Sequence, residues 1–353
     1  MRVGVSTLHS RHQPGEGAAD YFLRRLLHAA RAIQSDVQFV LFTHDGNHDL
    51  YDGWDRLHVP DAPGRALMPA RRLKSEIADA MRRADADVLL APLDSAPALP
   101  QVPQVLYAFE MPAEEDTLNK AGRAAAARMR AVKHACAGAR AVLTASERLR
   151  RYCLERFETP MDRTIVTLAG VAPVFEEPQP VMLDRPYFVL FHDSLTEDQT
   201  PLICDTLKKR RADFPHIVVV VGAVCGPEPT HWGPNILRIE QCPDRILAAL
   251  YQHATAFIYP GIRDGGGLHI LEALRAGTLV LAPHNDAFDE IAGDTPFYYN
   301  GASLASFVQT LRRALDLGPE KRKQRVHLGQ MCATKFTWEK SAWKLLAALR
   351  RTG

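Results

Sequence analysis

Short runs of β-branched and aromatic residues alternate along the chain with segments whose apolar positions recur every three to four residues. That alternation predicts parallel sheets flanked by helices. In the first half the predicted strands are Val3–Ser6, Val37–Phe42, Val88–Ala91, Val105–Phe109, Ala141–Ala145 and Ile165–Leu168. The second half repeats the pattern with Tyr187–Phe191, Ile217–Val221, Leu237–Ile239, Thr255–Tyr259 and Leu279–Ala282. Phe22, Leu23, Leu26, Leu27, Ala30 and Ile33 mark one face of a helix between the first two strands. Trp338, Ala342, Leu345, Leu346 and Leu349 do the same for a last helix. Between the halves, Pro173, Pro178, Pro180 and Pro186 fall within fourteen residues and exclude a continuing helix or central strand. The expected organisation is an α/β protein of two doubly wound, Rossmann-like domains, 1–172 and 187–337, joined by a linker at 173–186. Ligands of such sheets bind beyond the carboxyl ends of the strands, so two domains facing a cleft would set a donor on one wall and an acceptor on the other.

The stretch Ile258–Gly277 carries the densest chemistry. It reads as a strand, an acidic glycine-rich loop (Arg263-Asp264-Gly265-Gly266-Gly267), a helix from Leu268, and a terminating glycine. Glycines let backbone N–H groups approach a ligand at a helix N-terminus, where the helix dipole favours phosphate. Asp264 and Glu272 are eight residues apart, so one can reach a sugar while the other reaches a ribose, each accepting paired hydrogen bonds from hydroxyls. Taken alone, such a loop also fits a tight turn with no ligand.

Composition narrows the picture. At 353 residues, 46% hydrophobic and 24% charged, the chain is ordinary globular protein with length for two cores. No apolar run reaches the ~20 residues of a membrane span, and Met1–Ser6 lacks a secretory layout. The six cysteines form no C-x-x-C pair, which predicts a reducing, cytoplasmic setting. The formal net charge is +2, but between Lys120 and Arg163 eleven Lys or Arg stand against four acids. That excess reads either as a solvated face on two helices or as peripheral contact with anionic lipid or phosphate. No aromatic platform interleaves with it, which argues against nucleic acid. His44 and His48 flank Asp45-Gly46-Asn47, a turn rather than a helical metal pair. G-x-S-x-G, P-loop and H-E-x-x-H motifs are absent.

In this context Ile258–Gly277 resembles the P-S-x-x-E-G-F-G-L-x-x-L-E-A-M-A-x-G segment of glycosyltransferase family 4, with Asp264 and Glu272 at the two acidic positions of its E-x7-E signature. Glu290-Ile291-Ala292-Gly293-Asp294 is similar to the family's later E-x-x-G-D. Gly15-Glu16-Gly17 resembles its first glycine loop, and Ala139–Glu147 followed by Ile165–Val171 resembles A-D-x-V-x-A-V-S-E … V-x-P-N-G-V. Phe336-Thr337-Trp338 looks like the F-x-W before its final helix, which implies that 338–353 returns to the first domain. Five positions depart from the pattern, among them the first acid, where Asp264 replaces Glu, and His269, which replaces a common proline. Phe109 stands where the family usually has an active-site histidine, and Asp198 and Gln199 replace the arginine and lysine that neutralise the donor diphosphate. Arg263, His269 and Arg275 are the candidates to compensate.

The resemblance implies a GT-B fold and retaining, metal-independent transfer of a hexose from a nucleotide-diphosphate sugar to an acceptor hydroxyl, with no cofactor beyond the donor. It places catalytic carboxylates at Asp264, Glu272 and Glu110. Donor contacts fall to Gly265, Gly266, Gly267, Leu268, His192, Gln199, Arg263 and His269, with the base near Gln241 and Cys242. Gly15, Glu16, Gly17 and Phe109 form the acceptor side. A saccharide or lipid-linked saccharide acceptor is implied, with bacterial surface polysaccharide or glycolipid assembly at the inner membrane face as the setting. A catalytically degenerate partner or regulatory protein and a sugar-nucleotide epimerase are the competing readings.

Overall fold

The computed structural model describes residues 1–8, 18–33, 36–60, 70–93, 96, 99, 101–109, 122–192, 199–222, 235–240, 242–262 and 264–351. The chain divides into two compact units, residues 1–168 with 338–353, and residues 169–337.

In the first unit, β1 (Arg2–Ser6), β2 (Gln38–Thr43), β3 (Asp55–His58), β4 (Val88–Pro92), β5 (Gln104–Ala108), β6 (Ala141–Thr144) and β7 (Thr164–Val166) form a parallel seven-stranded sheet in the order β3-β2-β1-β4-β5-β6-β7. The central strands are buried along their length, as a sheet covered on both faces requires. Helices α1 (Ala18–Ile33), α2 (Ala70–Arg83), α3 (Gly122–Gly138) and α4 (Glu147–Phe157) follow β1, β3, β5 and β6. Strand order reverses between β1 and β4, the point where such sheets open a crevice at their carboxyl edge.

The second unit repeats the design in a parallel sheet of β8 (Tyr187–Phe191), β9 (Ile217–Val221), β10 (Ile236–Ile239), β11 (Ala256–Ile258), β12 (Val280–Pro283) and β13 (Phe297–Tyr299). Its order is β10-β9-β8-β11-β12-β13, with the reversal between β8 and β11. Helices α5 (Thr200–Lys209), α6 (Asp244–His253), α7 (Leu268–Arg275), α8 (Asp286–Ala292), α9 (Leu304–Leu315) and α10 (Pro319–Ala333) connect and cover the strands. A core of Phe188, Leu190, Val218, Val220, Ile258, Leu281, Phe307 and Leu311 lies on one face. The chain ends in α11 (Trp338–Arg350), which packs along α1 in the first unit. Its Ser341 hydroxyl donates to Leu168 O, and its Ala342, Leu345, Leu346 and Leu349 are buried.

Two features differ from the sequence reading. Residues 173–186, expected as a free linker, are part of the second unit. Pro173–Phe175 makes a single tight turn whose Phe175 ring is buried against Tyr251. Beyond it, Gln179 N donates to Gln252 Oε1 at 2.9 Å, while Gln252 Nε2 donates to Glu177 O at 2.7 Å. Prolines stop a helix or ladder here but leave an extended segment able to dock. The unexpected strands are β3 and β13, both at sheet edges. β3 is largely polar, and β13, Phe297-Tyr298-Tyr299, is a run of only three residues.

Candidate active site

The second unit's crevice falls at the carboxyl edge of β8 and β11, where the strand order reverses. After β11 the chain turns through Tyr259–Gly267 and enters α7, and Asp264 holds that turn together. Its Oδ1 accepts the N–H groups of Gly266 (2.7 Å) and Gly267 (3.0 Å), and the side chain is buried. Gly267 has φ +61°, and a Cβ there would lie 2.2 Å from Ile291 Cδ1, so both backbone and space require glycine. Asn285, beyond β12, braces the turn from the far side: Nδ2 donates to Asp264 O (3.1 Å) and Ile262 O (3.2 Å), and Oδ1 accepts from Ala287 N to cap α8. The sequence reading passed over Asn285; an Asn ahead of a short apolar helix is an N-cap signal that could have found it.

This geometry corrects one expectation. The Gly266 and Gly267 amides, assigned to phosphate, donate to Asp264. Asp264 gives the turn two of the roughly four acceptor positions a carboxylate offers.

One helical turn on, Glu272 is 1% exposed, and its Oε2 lies 2.9 Å from Nδ1 of His269, itself 6% exposed. The three-residue spacing sets both on one face of α7. The imidazole stacks on Phe191 at the end of β8, with ring centroids 3.6 Å apart, so the side chains following β8 and β11 meet here. His192 also ends β8 and is buried; its N–H donates to Val221 O. Burial, reinforced by the Arg238 charge, holds its pKa below 6.5 and favours a neutral ring. Gly222, after β9, has φ +115°, and a Cβ on it would sit 2.0 Å from His192 O. Backbones therefore close in on both sides of the crevice.

The remaining candidates are placed less centrally. Gln199 precedes α5 and is half-buried. Cys242 lies beyond β10, two strands from β8, with burial pushing its thiol up to about 12. Arg275, a candidate to compensate the missing cations, instead pairs with Glu176. Phe109 departs from its expected acceptor role. It is buried in an aromatic stack, 3.9 Å from the Phe22 ring and 4.8 Å from Tyr107, and Phe22 meets Trp338 edge-on at 5.0 Å. An apolar ring buried against two others cannot present a polar group to a ligand. Gly15, Glu16, Gly17, Glu110, Gln241 and Arg263 lie outside the described residues.

His44 and His48 form a turn. The Gly46 N–H donates to His44 Nδ1 (3.0 Å), His44 N donates to Asn47 Oδ1 (2.9 Å), and Asn47 Nδ2 donates to Thr7 O (2.9 Å). Among the described residues no three His, Cys, Asp or Glu converge as metal ligands, and no helix is long and apolar enough to cross a membrane.

Residues 231–330, which include the whole α7 turn, match the family model described as "Glycosyl transferases group 1". An O-antigen chain mannosyltransferase B of Escherichia coli is 29% identical over 110 residues, 30% of this chain and 29% of that protein's length. Among solved structures, a sucrose-phosphate synthase from Thermosynechococcus elongatus superposes with a TM-score of 0.74 at 16% identity, covering 99% of this chain and 98% of the other. WaaG, a glycosyltransferase involved in lipopolysaccharide biosynthesis, gives 0.74 at 15% identity, covering 99% and 100%. The fold is thus that of the GT-B glycosyltransferases.

Proposed function

We propose that this chain is a retaining glycosyltransferase that moves a hexose from a nucleotide-diphosphate sugar to an acceptor hydroxyl. The observation that carries the reading is the pair of buried carboxylates, Asp264 and Glu272, on either side of a glycine turn at the strand-order reversal, within the matched segment. In this reading the diphosphate lies at the N-terminus of α7, where the helix dipole stabilises the charge that develops as the leaving group departs. Asp264 receives donor-sugar hydroxyls at carboxylate positions the turn does not use, and Glu272 receives the ribose hydroxyls. Helix dipole and protein donors carry the charge, and the transfer runs without a metal ion. The mannosyltransferase and WaaG relatives support a saccharide or lipid-linked acceptor of the bacterial surface.

Release of nucleoside diphosphate, followed across UDP-, GDP- and ADP-sugars with EDTA present, tests the proposal. Donor-dependent release with the anomeric configuration kept in the product is expected. An inverted product, or activity lost to EDTA and restored by Mn²⁺, would overturn the assignment. One observation favours a second reading, a partner protein that keeps the nucleotide pocket without transfer: Phe109 is built into an aromatic stack where the resemblance expects a polar catalytic side chain. Nucleotide binding with no release from any donor would select it.

A further inference from the structure

We infer that His269 is a positioning residue that aims the Glu272 carboxylate at the vicinal hydroxyls of a nucleotide's ribose; the inference rests on the transferase reading above. A carboxylate buried to 1% exposure needs a partner, and here an imidazole only 6% exposed supplies one at 2.9 Å. A carboxylate in its anionic form only accepts, so this contact is a hydrogen bond in the tautomer that carries the proton on Nδ1 and donates it to Oε2. Neighbouring rings restrict the imidazole's rotation. Phe191 stacks on it at 3.6 Å between centroids with 25° between planes, and Tyr259 lies tilted at 6.3 Å. Lying one helical turn apart, the two side chains are tied to the same rigid segment of α7. A donor of fixed direction on one oxygen restricts rotation of the carboxylate and sets the direction in which its remaining lone pairs point. Two neighbouring hydroxyls demand that kind of alignment, because both hydrogen bonds form only in one carboxylate orientation.

The probes are UDP, GDP and ADP with their 2′,3′-dideoxy counterparts, measured by calorimetry on the full chain. Wild type should bind one ribonucleotide better than its dideoxy form. H269F keeps a ring against Phe191 but has no N–H, and should weaken the ribonucleotide about tenfold while leaving the dideoxy form nearly as in wild type. H269N places an amide donor where Nδ1 lies and should recover most of the preference. In an E272Q background, H269F should add little further loss. A packing role for His269 would instead weaken ribo and dideoxy forms alike, and that result overturns the inference while leaving the transferase reading standing. Unchanged discrimination in H269F does the same. If H269F fails to fold, H269A carries the same expectation without a new ring. Wild type that binds none of the nucleotides overturns the transferase reading, and the inference with it.

Discussion

Asp264 closes the turn, and the proposed function gives it a second duty toward the donor sugar, so the two must be separated by substitution. D264A removes the acceptor for Gly266 and Gly267 N–H and should lower stability by about 1 kcal/mol, as loss of a helix cap does. D264N keeps a side-chain oxygen for those amides while losing the charge. It should melt close to wild type yet transfer sugar poorly; D264N with full activity would remove Asp264 from the chemistry. G267A forces a side chain into φ +61° and against Ile291, and should cost more than 1 kcal/mol in urea denaturation. At this scale the sequence was partly legible. The strand, glycine turn and helix that carry Asp264 and Glu272 were legible, because a glycine turn before a helix is local in the chain. That Asp264 would turn back onto its own amides, that His269 would hold Glu272, and that Asn285 would brace the turn depended on rotamers and on a neighbouring loop, which spacing does not encode.

The elements were more legible than their contacts. Buried parallel strands announce themselves as β-branched runs, and Tyr187–Phe191 and Ile217–Val221 fall where the pattern put them. The edge strands β3 and β13 did not, since an edge needs no long apolar run. The prolines of 173–186 showed where regular structure stops but could not show that Phe175 docks on α6. Helix α11 is the element whose place depends most on long-range packing. Its Leu345 is fully buried, so L345A should cost about 2–5 kcal/mol. Because the chain has two units, the loss should move one unfolding transition and spare the other. A uniform shift of both would mean that α11 stabilises more than the first unit.

For the whole molecule, charge and protonation set two expectations. His192 and His216 have pKa values held below 6.5 chiefly by burial. Their unfolded forms bind protons more readily, so the folded state is favoured above about pH 6.5 and loses stability as pH falls through that value. Urea midpoints should therefore drop between pH 7.5 and 5.5; equal midpoints would show that these rings protonate freely when folded. The basic excess of residues 120–163 is partly paired with acids of the same segment at the surface, Lys133 with Glu158 at 2.6 Å and Arg150 with Glu147 at 2.8 Å. Anionic vesicles should still retain the protein at low salt and release it as salt rises, whereas equal retention by neutral vesicles would leave the segment as a solvated face.

Glu272 is the residue on which the functional account converges, and calorimetric titration of wild type and E272A with UDP, GDP and ADP addresses it directly. The account predicts that wild type binds at least one nucleotide and that E272A binds it about ten- to a hundredfold more weakly, the loss of a charge-assisted hydrogen bond. Equal affinity in the two proteins would contradict the placement of the nucleotide at α7, and wild type that binds none of them would contradict the transferase assignment itself.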